Sequence, residues 1–144
     1  MERVILDKEE PGGQSDMSLK GKKVLVVEDD SFLGNILSQK IVADLADAHL
    51  FKNGEEALAF VETNIPDIAV LDIYLPGMDG MQVLEKLRAN EKTKNMPVIV
   101  VSNAPETEYK DRAAKLNAEF IIKAMTTPYE IVNKMKEILK KKVS

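Results

Sequence analysis

The sequence contains no cysteine. Disulfides, thiol nucleophiles and cysteine metal sites are therefore excluded, and the absence suits a reducing cytosol. No apolar run approaches the ~18 residues of a membrane span. A secretory signal is also missing, because Val4-Ile5-Leu6 is too short an apolar core and the acidic Asp7, Glu9 and Glu10 follow it. The single histidine, His49, has no partner at ligand spacing and reads as a strand or surface residue. There is no internal repeat and no low-complexity tract. A net charge of −4 is the wrong sign for a nucleic-acid groove. Lys140-Lys141-Lys142 read as a solvated helix end that complements the helix dipole. The expectation is a cytoplasmic protein without direct nucleic-acid or membrane contact, as a monomer or weak dimer.

What is present fits one domain. The 144 residues leave little room for a second, and 44% apolar residues can bury a core unaided. Residues 1–20 are polar and charged and are punctuated by Pro11-Gly12-Gly13, which predicts a flexible extension before a domain over 21–144. Met17 is a plausible alternative start of that domain.

From Lys22 onward strand and helix patterns alternate. Val24-Leu25-Val26-Val27 is a continuous apolar run of the kind buried on both faces of a sheet. Phe32, Leu33, Ile36, Leu37, Ile41 and Leu45 then recur at helical spacing. Ala48 to Phe51 is a weaker strand, and Asn53 with Glu56 signs a helix start. Pro66 stops that helix before the strand Ile68-Ala69-Val70-Leu71. Asp79 caps a helix carrying Met81, Val83, Leu84 and Leu87, and Pro97 precedes the strand Val98 to Val101. A helix over about Pro105 to Leu116, the strand Phe120-Ile121-Ile122 and a last helix opened by Thr127-Pro128-Tyr129-Glu130 complete the series. Five strands alternating with five helices predict an α/β fold with a parallel sheet covered on both faces.

In such sheets ligands bind outside the carboxyl ends of the strands. There the sequence places Glu28-Asp29-Asp30 after the first strand, Asp72 after the third, Ser102 after the fourth and Lys123 after the fifth. Carboxylates brought within about 5 Å repel by about 3 kcal/mol per pair at an effective dielectric near 20. Lys123 offsets part of this, and a hard divalent cation such as Mg²⁺ would offset more. A carboxylate nucleophile, acids for a metal, a hydroxyl and an ammonium suit phosphoryl transfer. Each residue also has a plainer reading: the acidic pair as a helix start, Asp72 as a turn former, Ser102 as a cap, Lys123 as a surface lysine. Their joint placement at four strand ends favours the site.

These segments resemble the receiver domains of response regulators in two-component signalling, over about Lys22 to Lys142. The resemblance rests on Val24 to Asp30, on Leu71-Asp72-Ile73-Tyr74-Leu75-Pro76-Gly77-Met78-Asp79-Gly80, on Val100-Val101-Ser102 and on Phe120-Ile121-Ile122-Lys123. It implies a flavodoxin-like, doubly wound five-stranded parallel sheet in the order 2-1-3-4-5, with five helices in three α/β/α layers. It implies Asp72 as phosphoryl acceptor, Glu28 and Asp29 as the acidic pair with Asp29 the more direct Mg²⁺ ligand, and Asp30 outside the site. The Tyr74 carbonyl would be a further metal ligand, Ser102 the switch hydroxyl, and Lys123 the partner of a phosphoryl oxygen. Phe120 takes the place of the aromatic switch residue, although packing on the last strand explains it equally. The implied donor is a histidine kinase or a histidine phosphotransfer protein, and the output is a contact with a downstream protein rather than an enzymatic activity.

Two positions depart from the family pattern. Ala124 stands where a proline usually follows the lysine, which predicts a trans peptide and a shifted loop. Asn103 follows Ser102 where a small residue is usual, and Asn103→Ala is expected to change a phosphorylation or dephosphorylation rate unless Asn103 only caps the next helix with Glu106. With no output domain after Ser144, the chain is expected to be a stand-alone receiver, resembling a chemotaxis regulator, or a fragment. Two alternatives remain. A Mg²⁺-dependent phosphohydrolase would need a second aspartate where Tyr74 stands, and a pseudo-receiver scaffold would not need the full set of Glu28, Asp29, Asp72, Ser102 and Lys123.

Overall fold

The computed structural model describes residues 18–103 and 107–143, apart from the side chains of Thr107, Lys142 and Val143. The expected N-terminal extension up to residue 17, the helix start at Pro105 and the capping partner Glu106 lie outside these residues. Leu19 is fully buried and its N–H donates to Asp44 Oδ2 at 2.9 Å, so the packed body already includes it.

Five strands form one parallel sheet: β1 Lys23–Val27, β2 Asp47–Phe51, β3 Ile68–Asp72, β4 Val98–Ser102 and β5 Glu119–Ile122. Their order is β2-β1-β3-β4-β5, with every pairing parallel. The helices are α1 Ser31–Ala43, α2 Gly54–Val61, α3 Gly80–Ala89, α4 Thr107–Lys115 and α5 Pro128–Val143. This is the doubly wound fold expected from the sequence. No described helix is long and apolar enough to cross a membrane.

The continuous apolar strands follow from having two covered faces. Successive side chains point to opposite sides, so Leu25 and Val27 join Leu71, Val100 and the inner faces of α2 and α3, while Val24 and Val26 join Val70, Val101 and the inner faces of α1 and α5. Complete burial of each such side chain contributes about 1.5–3 kcal/mol.

Caps fix where the helices begin, and hence the loops that carry the site. Asp30 caps α1, accepting from the N–H groups of Phe32 and Leu33. Asn53 caps α2 through Glu56 N at 2.8 Å. Asp79 and Gln82 form a reciprocal box on α3, and Thr127 and Glu130 do the same for α5. Helical spacing overreached at two residues of the α1 series. Phe32 is 72% exposed and Leu45 66% exposed. The buried stripe runs Gly34, Leu37, Ile41 in steps of three and four, so Phe32 lies off it. Leu45 follows the helix in a left-handed turn, with φ of 66°.

Candidate functional site

Parallel strands bring their carboxyl ends to one edge of the sheet, and that alone gathers residues distant in sequence. Glu28 follows β1 and its N–H donates to Phe51 O at 3.0 Å, which extends the β1–β2 ladder by one residue. Asp72 is the last residue of β3, in register with Val101, the neighbour of Ser102 on β4. Lys123 directly follows β5.

Glu28, Asp29 and Asp72 each place a carboxylate oxygen within 4.8 Å of the other two. Asp72 and Glu28 are buried and Asp29 is exposed, so the cluster has one side open to solvent. Lys123 bridges the two buried acids: its Nζ donates to Glu28 Oε1 at 2.8 Å and to Asp72 Oδ2 at 2.9 Å. The other Asp72 oxygen, Oδ1, accepts from the Tyr74 N–H at 3.1 Å. Glu28 Oε2 accepts from the Asp30 N–H at 3.1 Å. Asp30 itself turns its carboxylate to α1 and is not a member of the cluster.

One ammonium among three carboxylates leaves the site electron-rich. Burial pushes the Glu28 carboxyl up from 4.5 to about 7; the Lys123 hydrogen bond opposes this and the Asp72 carboxylate adds to it. Burial alone would lower the Lys123 ammonium, but its hydrogen bonds to Glu28 and Asp72 outweigh burial and hold it above the ordinary lysine value. Hard oxygen donors, two of them buried and one facing solvent, with excess negative charge, fit a small divalent cation that retains waters, as Mg²⁺ does.

Ser102 is fully buried at the end of β4. Phe120, in register with Val100, is half-buried against the core on the α2–α3 face. Tyr74 is 45% exposed, with its N–H on Asp72 and its ring edge-on to Tyr109. His49 lies away from the site, its ring 4.8 Å from that of Phe60. The Lys123–Ala124 peptide is trans. The chain beyond Lys123 is a single 3-10 turn, Lys123–Met125, closed by Thr126 Oγ1 donating to Ile122 O at 3.0 Å. A hydroxyl thus fastens the loop that lacks the usual proline.

Sequence reasoning missed two residues beside the cluster, Gly80 against the Asp72 backbone and Tyr109 against Tyr74. A Cβ on Gly80 would sit 2.1 Å from the Asp72 carbonyl oxygen and 2.8 Å from Ile73 Cα, so α3 touches the backbone of Asp72 itself. The Asp79-Gly80 pair was visible, but the close approach was not. Tyr109 of α4 carried no signal at all, since a lone tyrosine in a polar helix looks like surface.

Comparison with known proteins agrees with this geometry. The family model for the response regulator receiver domain matches residues 24–136. The phosphate regulon transcriptional regulatory protein PhoB of Rhizobium meliloti (strain 1021) is 28% identical over 120 residues, 83% of this chain and 52% of that protein. The alkaline phosphatase synthesis transcriptional regulatory protein PhoP of Bacillus subtilis (strain 168) is 31% identical over 120 residues, 83% of this chain and 49% of that protein. The chain spans about half the length of these curated relatives. Among solved structures, a CheY-like response regulator receiver domain protein from Methanospirillum hungatei JF-1 superposes with a TM-score of 0.78 at 25% identity, covering 87% of this chain and 100% of that one. The receiver domain of Francisella response regulator 1452 gives 0.75 at 30% identity, covering 86% and 100%. The chain therefore belongs to the response regulator receiver domain family.

Proposed function

We propose that this receiver accepts a phosphoryl group on Asp72 from a phosphohistidine donor, a histidine kinase or a histidine phosphotransfer protein, and thereby switches a protein-binding surface. The observation that carries this reading is the Lys123 bridge between Asp72 and Glu28, set in a cluster of three carboxylates. An Asp72 oxygen attacks phosphorus, the P–N bond to imidazole breaks, and an acyl phosphate forms. Glu28, Asp29, Asp72 and the Tyr74 carbonyl would hold Mg²⁺, which when bound neutralises charge on the phosphoryl oxygens. The Tyr74 N–H holds the Asp72 carboxylate through Oδ1.

Phosphorylation adds about −1.5 to −2 charge. Lys123 then exchanges a carboxylate partner for a phosphoryl oxygen, and Ser102, at the end of the neighbouring strand, is the hydroxyl in position to follow it. A charge-assisted hydrogen bond contributes about 1.5–3 kcal/mol. Two of them approach the ~5.5 kcal/mol needed to carry a population from 1:99 to 99:1. Phe120 is the aromatic residue on β5 that would report the change.

The test is incubation with a small phosphodonor and Mg²⁺ followed by intact mass. A gain of one phosphoryl group that disappears in Asp72→Asn supports the reading. No gain with any donor would leave a scaffold that binds partners without phosphorylation.

A further inference from the structure

We propose that Tyr109 of α4 is a positioning residue for the acceptor loop, acting through its ring contact with Tyr74. The inference rests on the reading of Asp72 as acceptor and concerns a contact that this reading does not use. Tyr74 and Tyr109 meet edge to face, with centroids 6.3 Å apart and planes at 90°. That is the favoured geometry for an aromatic pair. One end of the contact is a single hydrogen bond from the acceptor, because the Tyr74 N–H donates to Asp72 Oδ1. The other end is braced: the Arg112 guanidinium lies 5.8 Å from the Tyr109 ring centre, and its Nη2 donates to Glu85 Oε2 of α3 at 3.3 Å.

α4 is shallowly attached. Among its residues with described side chains, Ala113 alone is fully buried, and Glu108, Lys110, Asp111, Ala114 and Lys115 are exposed. The Tyr109 ring packs against the core cluster that contains Ala113 and, through its contact with the Tyr74 ring, against the loop carrying the Tyr74 amide. Turning that amide turns the donor on Asp72, and shifting α4 moves the ring on which the loop rests. The ring contact thus ties the placement of the Tyr74 amide to that of Tyr109.

The test uses the full chain with beryllium fluoride, a phosphoryl mimic, titrated calorimetrically in Mg²⁺. Tyr109→Leu is expected to change the apparent Kd about two- to tenfold, the range of one aromatic pair. Tyr109→Phe keeps the ring and should match wild type. In a Tyr74→Leu background, Tyr109→Leu should have no further effect. Without any ligand, Tyr74→Leu should speed amide exchange in residues 107–115. Additive single effects, equal behaviour of Tyr109→Phe and Tyr109→Leu, or unchanged exchange in α4 would each overturn the proposal. Uptake by wild type with Tyr109→Leu indifferent removes this inference only. No uptake by wild type removes the acceptor reading, and this inference with it.

Discussion

Lys123 Nζ lies 2.9 Å from Asp72 Oδ2, with the lysine side chain 14% exposed and the aspartate 4%. The same ammonium holds Glu28 at 2.8 Å. It is the cation around which the buried half of the site is neutralised, and its removal has a predictable cost.

Replacing Lys123 by methionine keeps the stem and deletes the charge, leaving Glu28 and Asp72 buried without it. Breaking a buried pair from one side costs about 3–5 kcal/mol. Protonation of Glu28 absorbs part of that, so a loss of about 2–3 kcal/mol is expected in chemical denaturation at pH 8 without divalent cation. Adding Mg²⁺ should recover much of the loss. A variant as stable as wild type in chelator would mean that the acids are not strained by their proximity.

Stability should also fall with rising pH before any metal is added. The Glu28 carboxyl is raised from 4.5 to about 7 in the folded chain. A raised acid contributes stability that is fully present below its unfolded value and is lost as pH climbs through its folded value. The window is thus roughly pH 4.5 to 7, and the total is about 3 kcal/mol at 1.36 kcal/mol per unit. Lys123, raised above the ordinary lysine value, keeps its contribution throughout this window. Unfolding curves in chelator at pH 5, 6, 7 and 8 measure the slope. Glu28→Gln should flatten it, and a wild-type curve already flat would show that Glu28 is ionised throughout.

Gly80→Ala puts a methyl group against the Asp72 backbone, where the gap is 2.1 Å to a carbonyl oxygen. Backbone cannot step aside as a side-chain tip can, so either α3 retreats or the end of β3 bends. Overpacking of this kind costs about 1–3 kcal/mol. Because the displaced group is the carbonyl of Asp72, the proposed acceptor, phosphoryl uptake should slow in the fraction that remains folded. Wild-type uptake in a destabilised variant would confine Gly80 to packing.

Arg88 is the counterpart at the opposite edge of the sheet. Its guanidinium donates to the carbonyls of Leu116 at 2.7 Å, Met96 at 2.8 Å, Asn117 at 3.2 Å and Thr93 at 3.3 Å, joining α3 to the loops before β4 and β5. Arg88→Met strands those carbonyls and should cost about 2–3 kcal/mol. Lysine, lacking the planar fork, should recover only part of it. Mg²⁺ affinity should be unchanged in both variants, since no Arg88 contact reaches the acidic cluster.

The sequence by itself determined the strands and the gathering of Glu28, Asp29, Asp72, Ser102 and Lys123 at one edge of the sheet. Those are legible because apolar periodicity and turn residues are local, and because strands of a parallel sheet share one carboxyl edge whatever their separation along the chain. The caps Asn53, Asp79 and Thr127 were legible for the same reason, each bonding a backbone amide three residues on. Only the tertiary structure decided that Lys123 divides itself between Glu28 and Asp72, that Thr126 ties the loop left without a proline, that Phe32 and Leu45 face water, that Gly80 abuts the Asp72 backbone and that Tyr109 meets Tyr74. These depend on distances between elements, which packing sets and no periodicity encodes. A pattern gives the face on which a side chain lies, whereas the neighbour across the gap is fixed when helices and sheet close on one another.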